Sequence, residues 1–191
     1  VAWALFFDIL NITDELLSIT ASVPSGSWIL IVISVIDIAF VIVGEGQEKY
    51  SLMKSFKSLD NLIFIDAIPK KQVQGMLSLF DICFIGLKKE NLFKYGVSPN
   101  KLFDYMYSGK PVIYAIDSGD INVVDIANCG ISVEAKNPQA ISDGIIKLYN
   151  MTEEERYKMG DNGKKYVLKN FTYKKLAQDY MELFWKMKYR R

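Results

Sequence analysis

The sequence predicts an α/β domain built on a doubly wound parallel sheet. Three observations carry this. Short, wholly apolar runs at 40–43, 82–85 and 111–116 lack the alternation of a half-exposed strand, so they read as strands buried on both faces. Helix-forming amphipathic stretches alternate with them, as parallel crossovers require. Half of the 191 residues are hydrophobic and 24% are charged, which supplies a core and excludes a disordered chain.

Taken in order, residues 1–20 read as an apolar helix and 22–27, SVPSGS, as a loop. Residues 28–43 carry one charge, Asp37. That stretch falls short of the roughly 20 apolar residues of a membrane span. Its β-branched character favours buried strand over a membrane segment, and no basic signal-peptide region precedes it. The strand at 40–43 runs into Gly44-Glu45-Gly46, followed by helix-forming residues 47–58. A second strand spans 61–66, and a helix spans 69–78 with Pro69 near its start. Strand 82–85, loop 87–97 and a helix over 99–108 follow, the last stopped by Gly109. Strands at 111–116 and 131–133 precede amphipathic helices at 138–149, 152–169 and 173–188. Thr152 and Glu155 have capping-box spacing. Phe171, Leu176, Tyr180 and Phe184 form one helical stripe, which reads as core.

Charge and composition remove several function classes. Lys and Arg number 23 against 22 Asp and Glu, too even for a global nucleic-acid footprint. There is no histidine, so histidine bases, triads and metal ligands are excluded. Cys83 and Cys129 lie in apolar stretches and read as buried thiols of a reducing compartment. Residues 1–48 hold six acids and no Lys or Arg, leaving 23 basic and 16 acidic residues to the remainder. The chain begins at Val1 and reads as a fragment of something longer. Its end places Lys186, Lys188, Arg190 and Arg191 beside Trp185 and Tyr189, a solvated tail or a contact for anionic lipid.

Ligands of doubly wound sheets bind beyond the carboxyl ends of the strands, which directs attention to 44–47, 66–70, 86–98 and 116–122. The most informative segment is GVSPNKLFDYMYSGKPVI, residues 96–113. Ser98 is placed to cap a helix and Pro99 to open it. The amides of Asn100 and Lys101 then point out of the helix start, a ready anion site. A cation at Lys101 opposes the helix dipole by roughly 0.3–1 kcal/mol, and a bound anion explains it. Asp104, three residues on, can accept hydrogen bonds from sugar hydroxyls. The alternative is a solvated Lys101–Asp104 pair. Gly44-x-Gly46 follows a strand and opens a helix, but it lacks the third glycine of a dinucleotide fingerprint, and Glu45 repels phosphate. Lys88 and Lys89, and Pro69-Lys70-Lys71, are solvated or meet a diphosphate and base. Asp117 and Asp120 read as a surface loop.

Together these residues resemble the C-terminal nucleotide-sugar-binding domain of family 4 glycosyltransferases, one Rossmann-like half of the GT-B fold. The resemblance runs over about 40–188. It is carried by FVIVGEGQEK (40–49), NLIFIDAIPKKQVQGMLSLFDICFI (61–85), SPNKLFDYMYSGKPVI (98–113), CGISV (129–133) and MGDNGKKYVLKNFTY (159–173). The Ser-Pro-Asn-Lys-Leu form is similar to the branch that builds bacterial surface polysaccharides from amino-sugar donors.

The resemblance implies a Rossmann-like domain over 39–191 with C-terminal helices, preceded by an atypical apolar segment, 1–38, that is truncated or divergent. It implies retaining transfer of a hexosyl or N-acetylhexosaminyl group from a UDP-sugar to a lipid-linked or glycan acceptor. The expected location is cytoplasmic, at the inner face of the membrane. The diphosphate belongs at Ser98, Asn100, Lys101 and Leu102, with Lys88 nearby. Ribose belongs at Asp104, uracil at Ile68 and Pro69, and Gly44 and Gly46 wall the cleft. No metal or cofactor is expected, and no catalytic residue is assigned. Two departures stand out. The family's first motif carboxylate aligns with Gly96, and the Arg and Lys it usually offers to the diphosphate from the first strand and helix of the domain have no counterpart in 1–48. With the acceptor domain absent, the fragment is expected to bind a nucleotide without turnover. Other readings are a UDP-sugar epimerase-like enzyme and a non-catalytic interaction or membrane-associated module.

Overall fold

A computed structural model of the chain describes residues 3–8, 38–46, 49–87, 89–119 and 121–189, the first of these as backbone. Six parallel strands form one sheet: β1 (Trp3–Asp8), β2 (Ile38–Val43), β3 (Leu62–Ile65), β4 (Ile82–Gly86), β5 (Val112–Ala115) and β6 (Gly130–Ser132). Their order is β3-β2-β1-β4-β5-β6, that of the doubly wound dinucleotide-binding sheet. Helices α1 (Lys49–Ser55), α2 (Val73–Leu77), α3 (Asn100–Ser108), α4 (Val123–Ala127), α5 (Pro138–Asn150), α6 (Glu153–Asn170) and α7 (Tyr173–Lys188) complete the described chain.

The strands alternate between two cores, which is why their sequences are apolar throughout. Val41, Val43, Cys83, Ile85, Val112 and Tyr114 point to one face, where Leu77, Phe80, Leu102, Met106 and Val167 cover them. Phe40, Ile42, Ile82, Phe84, Ile113 and Ala115 point to the other, against Ile141, Ile145 and Leu148 of α5. Full burial of side chains such as Ile42, Leu77 and Ile113 stabilises the fold by about 1.5–3 kcal/mol each.

Two expectations are corrected here. Residues 3–8 are not helical. They form the central strand, with Leu5 in register with both Phe40 and Ile82. A short run of apolar residues has no periodicity that separates a buried strand from a buried helix. The sheet therefore draws on both sides of the division expected at residue 38. Residues 9–37, including most of the apolar stretch from 28, lie outside the described residues.

The stripe on the last helix is the second correction. Phe171 does pack, 4.5 Å from Phe103 and 5.9 Å from Tyr166 between ring centroids. Tyr180 and Phe184 are instead 63% and 60% exposed, and α7 has no buried residue. Helical spacing reports amphipathicity, not what covers the apolar face. No helix among the described residues is long and apolar enough to cross a membrane. The Thr152–Glu155 capping box forms as read, with the Thr152 amide donating to Glu155 at 2.7 Å and the Glu155 amide to Thr152 Oγ1 at 3.2 Å.

Candidate functional site

The strand order reverses between β1 and β4, and a cavity of about 450 Å³ opens beside that point, beyond the carboxyl ends of the strands. Its walls come from both sides of the reversal. Val43, Gly44 and Glu45 end β2; Ala67, Ile68, Lys70, Val73 and Met76 follow β3; Lys101, Asp104 and Tyr105 come from α3. The floor is apolar, and four charged side chains sit on the rim.

Helix α3 positions the last group. Lys101 and Asp104 are three residues apart, so they share a helical face, and both are half-buried. Leu102, Tyr105 and Met106 are buried and anchor the helix in the core. Gln74 donates from Nε2 to the Asp104 carbonyl at 3.0 Å, tying α2 to α3. Burial holds the Lys101 ammonium below the ordinary lysine value, and it pushes the Tyr105 phenol well above the usual tyrosine range. Tyr105 is therefore a neutral wall, not a base.

Of the residues singled out in the sequence, the structure brings Gly44, Ile68, Lys101 and Asp104 together around this cavity. Gly46, Pro69, Gly96, Ser98, Asn100 and Leu102 do not line it. Leu102 is core, 1% exposed, and its amide donates to the Pro99 carbonyl at 3.0 Å. Ser98 is not the cap. The helix opens at Asn100, one residue later than the Ser-Pro rule places it, so Pro99 occupies the cap with extended backbone and no side-chain bond. Lys88 lies outside the described residues. Lys89 faces a different, smaller cavity, 3.6 Å from Asp117 and 3.9 Å from Glu134.

Gly96 stands where the backbone favours glycine. Its backbone lies at φ 104°, ψ 145°, a region essentially reserved for glycine. A carboxylate residue there carries strain whatever space surrounds it. The thiols of Cys83 and Cys129 are pushed up to about 12, chiefly by burial, which removes them as nucleophiles.

Sequence reasoning missed Tyr105, Val73 and Met76, whose helical spacing says core and not cleft. It also gave no role to Lys49. This lysine is 4% exposed, and its Nζ donates to Glu45 Oε1 at 3.2 Å and to Asp66 Oδ1. The bond to Asp66 is the chief cause that raises Lys49 above the ordinary lysine value, and Lys49 holds the Asp66 carboxyl below the usual range. The only sequence signal was the Glu45–Lys49 spacing; Asp66 is 17 residues away.

A Rossmann-like sheet with a cleft at its reversal point is the architecture in which doubly wound domains bind their ligands. Residues 29–166 match the family Glycosyl transferases group 1, and the chain belongs to that family. An uncharacterized glycosyltransferase of Methanocaldococcus jannaschii is 26% identical over 149 residues, which are 77% of this chain and 36% of that protein. The chain thus spans little more than a third of this curated relative. Among solved structures, the C-terminal domain of a group 1 glycosyl transferase family protein (LpcC) from Francisella tularensis superposes with a TM-score of 0.65. It is 21% identical, covering 90% of this chain and 87% of that one. HepE from Anabaena, solved in complex with UDP-glucose, gives a TM-score of 0.68 at 14% identity, over 96% of this chain and 48% of its own. These likenesses establish the fold as a GT-B half-domain.

Proposed function

We propose that this chain is the donor-binding domain of a retaining glycosyltransferase that takes a UDP-sugar and passes a hexosyl or N-acetylhexosaminyl group to a glycan or lipid-linked acceptor in surface-polysaccharide synthesis. The observation that carries the reading is the gathering of Gly44, Ile68, Lys101 and Asp104 around one cavity at the carboxyl ends of the strands.

The chemistry of the four residues divides the work. Lys101 offers positive charge and ammonium donors to a diphosphate. The Asp104 carboxylate accepts from vicinal ribose hydroxyls. Ile68 gives an apolar surface to the base, and Gly44 lets the backbone of the opposite wall approach. Transfer builds negative charge on the departing diphosphate, and the Lys101 ammonium stabilises that charge. No metal is assigned to the step. HepE, solved with UDP-glucose, lends support by fold.

The test is calorimetric titration of the chain with UDP, UMP and uridine in the presence of EDTA. The expected result is saturable UDP binding that weakens stepwise as phosphates are removed, with about a tenfold loss per phosphate. Equal affinity for all three sinks the diphosphate assignment. Absence of any binding by the folded chain sinks the nucleotide reading.

A further inference from the structure

We propose that Lys49 is a positioning residue of the nucleotide cleft, holding Glu45 against the end of β3 and cancelling its charge so that an anionic ligand can enter. The inference rests on the nucleotide-binding reading above. Three observations carry it.

Lys49 stands against its local preferences. It opens α1, where the helix dipole disfavours a cation, and it is 4% exposed, where a charge loses its water. Nothing in an isolated helix keeps a lysine there. Its partners supply the reason. Glu45 belongs to the turn after β2 and Asp66 to the loop after β3, and one ammonium bonds both. The residues beside each partner, Gly44 on one side and Ala67 and Ile68 on the other, are neighbouring stretches of the cavity wall, at the ends of two paired strands. Lys49 therefore holds the Glu45 carboxylate beside the Asp66 carboxylate at that edge of the cavity.

The charge count gives the second function. Among the described residues, Glu45 and Asp104 line the cavity with Lys70 and Lys101, two acids against two bases. Asp66 adjoins as a third acid, and Lys49 restores the balance. Glu45 alone repels a phosphate, the objection its place in the Gly44-Glu45-Gly46 turn raises. Paired to Lys49, it does not. Without Lys49, the Glu45 carboxylate faces the ligand uncompensated, with Asp66 adding like charge at the same edge.

The experiment is UDP titration at low and at moderate salt for the wild type and for Lys49→Met, Lys49→Arg, Glu45→Gln and the double variant Lys49→Met with Glu45→Gln, with thermal melts confirming that each is folded. Lys49→Met is expected to weaken UDP binding about tenfold at low salt, with part of the loss recovered as salt screens the repulsion. Lys49→Arg and the double variant are expected to stay within about threefold of the wild type. Glu45→Gln alone, which keeps Lys49 on Asp66, is expected to bind at least as tightly as the wild type. Wild-type binding with an unaffected Lys49→Met overturns the inference and leaves the nucleotide reading standing. A double variant as weak as Lys49→Met also overturns it, because a merely structural lysine is not rescued by removing an acid. A Glu45→Gln loss beyond about tenfold overturns it even where Lys49→Met does not fold. A wild type that ignores UDP overturns both readings together.

Discussion

Alanine at Gly160 is expected to destabilise the domain by about 2–3 kcal/mol and to lower its melting temperature by roughly 4–12 °C. Gly160 lies within α6, where alanine is otherwise preferred over glycine by about 1 kcal/mol. Packing reverses the sign. A Cβ at this position meets the carbonyl oxygen of Gly109 at 1.9 Å and its carbon at 2.5 Å. Those are backbone atoms of the turn that ends α3, so no side chain can rotate away, and α6 must lift from α3. The control is Gly75 in α2, where an added Cβ meets nothing within 4 Å. Gly75→Ala is expected to be stabilising by about 0.5–1 kcal/mol. Thermal melts of the two variants check the pair. Similar melting for both contradicts the close approach of α6 to α3, and with it the platform that aims Lys101 and Asp104.

Lys101→Ala is expected to separate binding from stability. The lysine occupies the first turn of α3, opposed by the helix dipole, and its ammonium is partly desolvated. Alanine removes both costs together with the contacts that Lys101 makes, and it has the better helix propensity. The melting temperature is therefore expected to change little, because the two effects oppose each other. UDP affinity is expected to fall about 10- to 100-fold, the loss of a charge-assisted contact to phosphate. A residue retained against its local preference, with function falling and stability not, is the signature of a binding group. A fall in melting temperature with unchanged affinity assigns Lys101 to the fold instead.

The legible parts of the molecule are those governed by local rules. Strands from residue 40 onward stood out because each wholly apolar run is bounded by polar helix or loop. Lys101 and Asp104 were legible as a pair because three residues of helix put them on one face. The loops that hold Gly44 and Ile68 were legible because strand ends mark where ligands lie, and the family resemblance singled out the two residues within them. What stayed hidden depends on tertiary partners. The Trp3–Asp8 strand looks like any apolar segment until β2 and β4 flank it. Lys49 reads as a helix-surface lysine until Asp66, from another loop, meets it. Tyr105 reads as core, and its buried ring also forms a wall of the cleft. The stripe on α7 has helical spacing, yet its Tyr180 and Phe184 remain exposed. The Ser98 cap failed by one residue, because an extended Pro99 served as the cap position itself.

The central claim is that the cavity between the ends of β2 and β3 and the start of α3 receives a nucleoside diphosphate. Hydrogen exchange with and without saturating UDP tests it most directly. The expected result is slowed exchange in peptides spanning 43–46, 67–76 and 100–105, with none in 116–122, which lines the separate cavity at Lys89. Protection confined to 116–122, or none at UDP concentrations that saturate binding, contradicts the account.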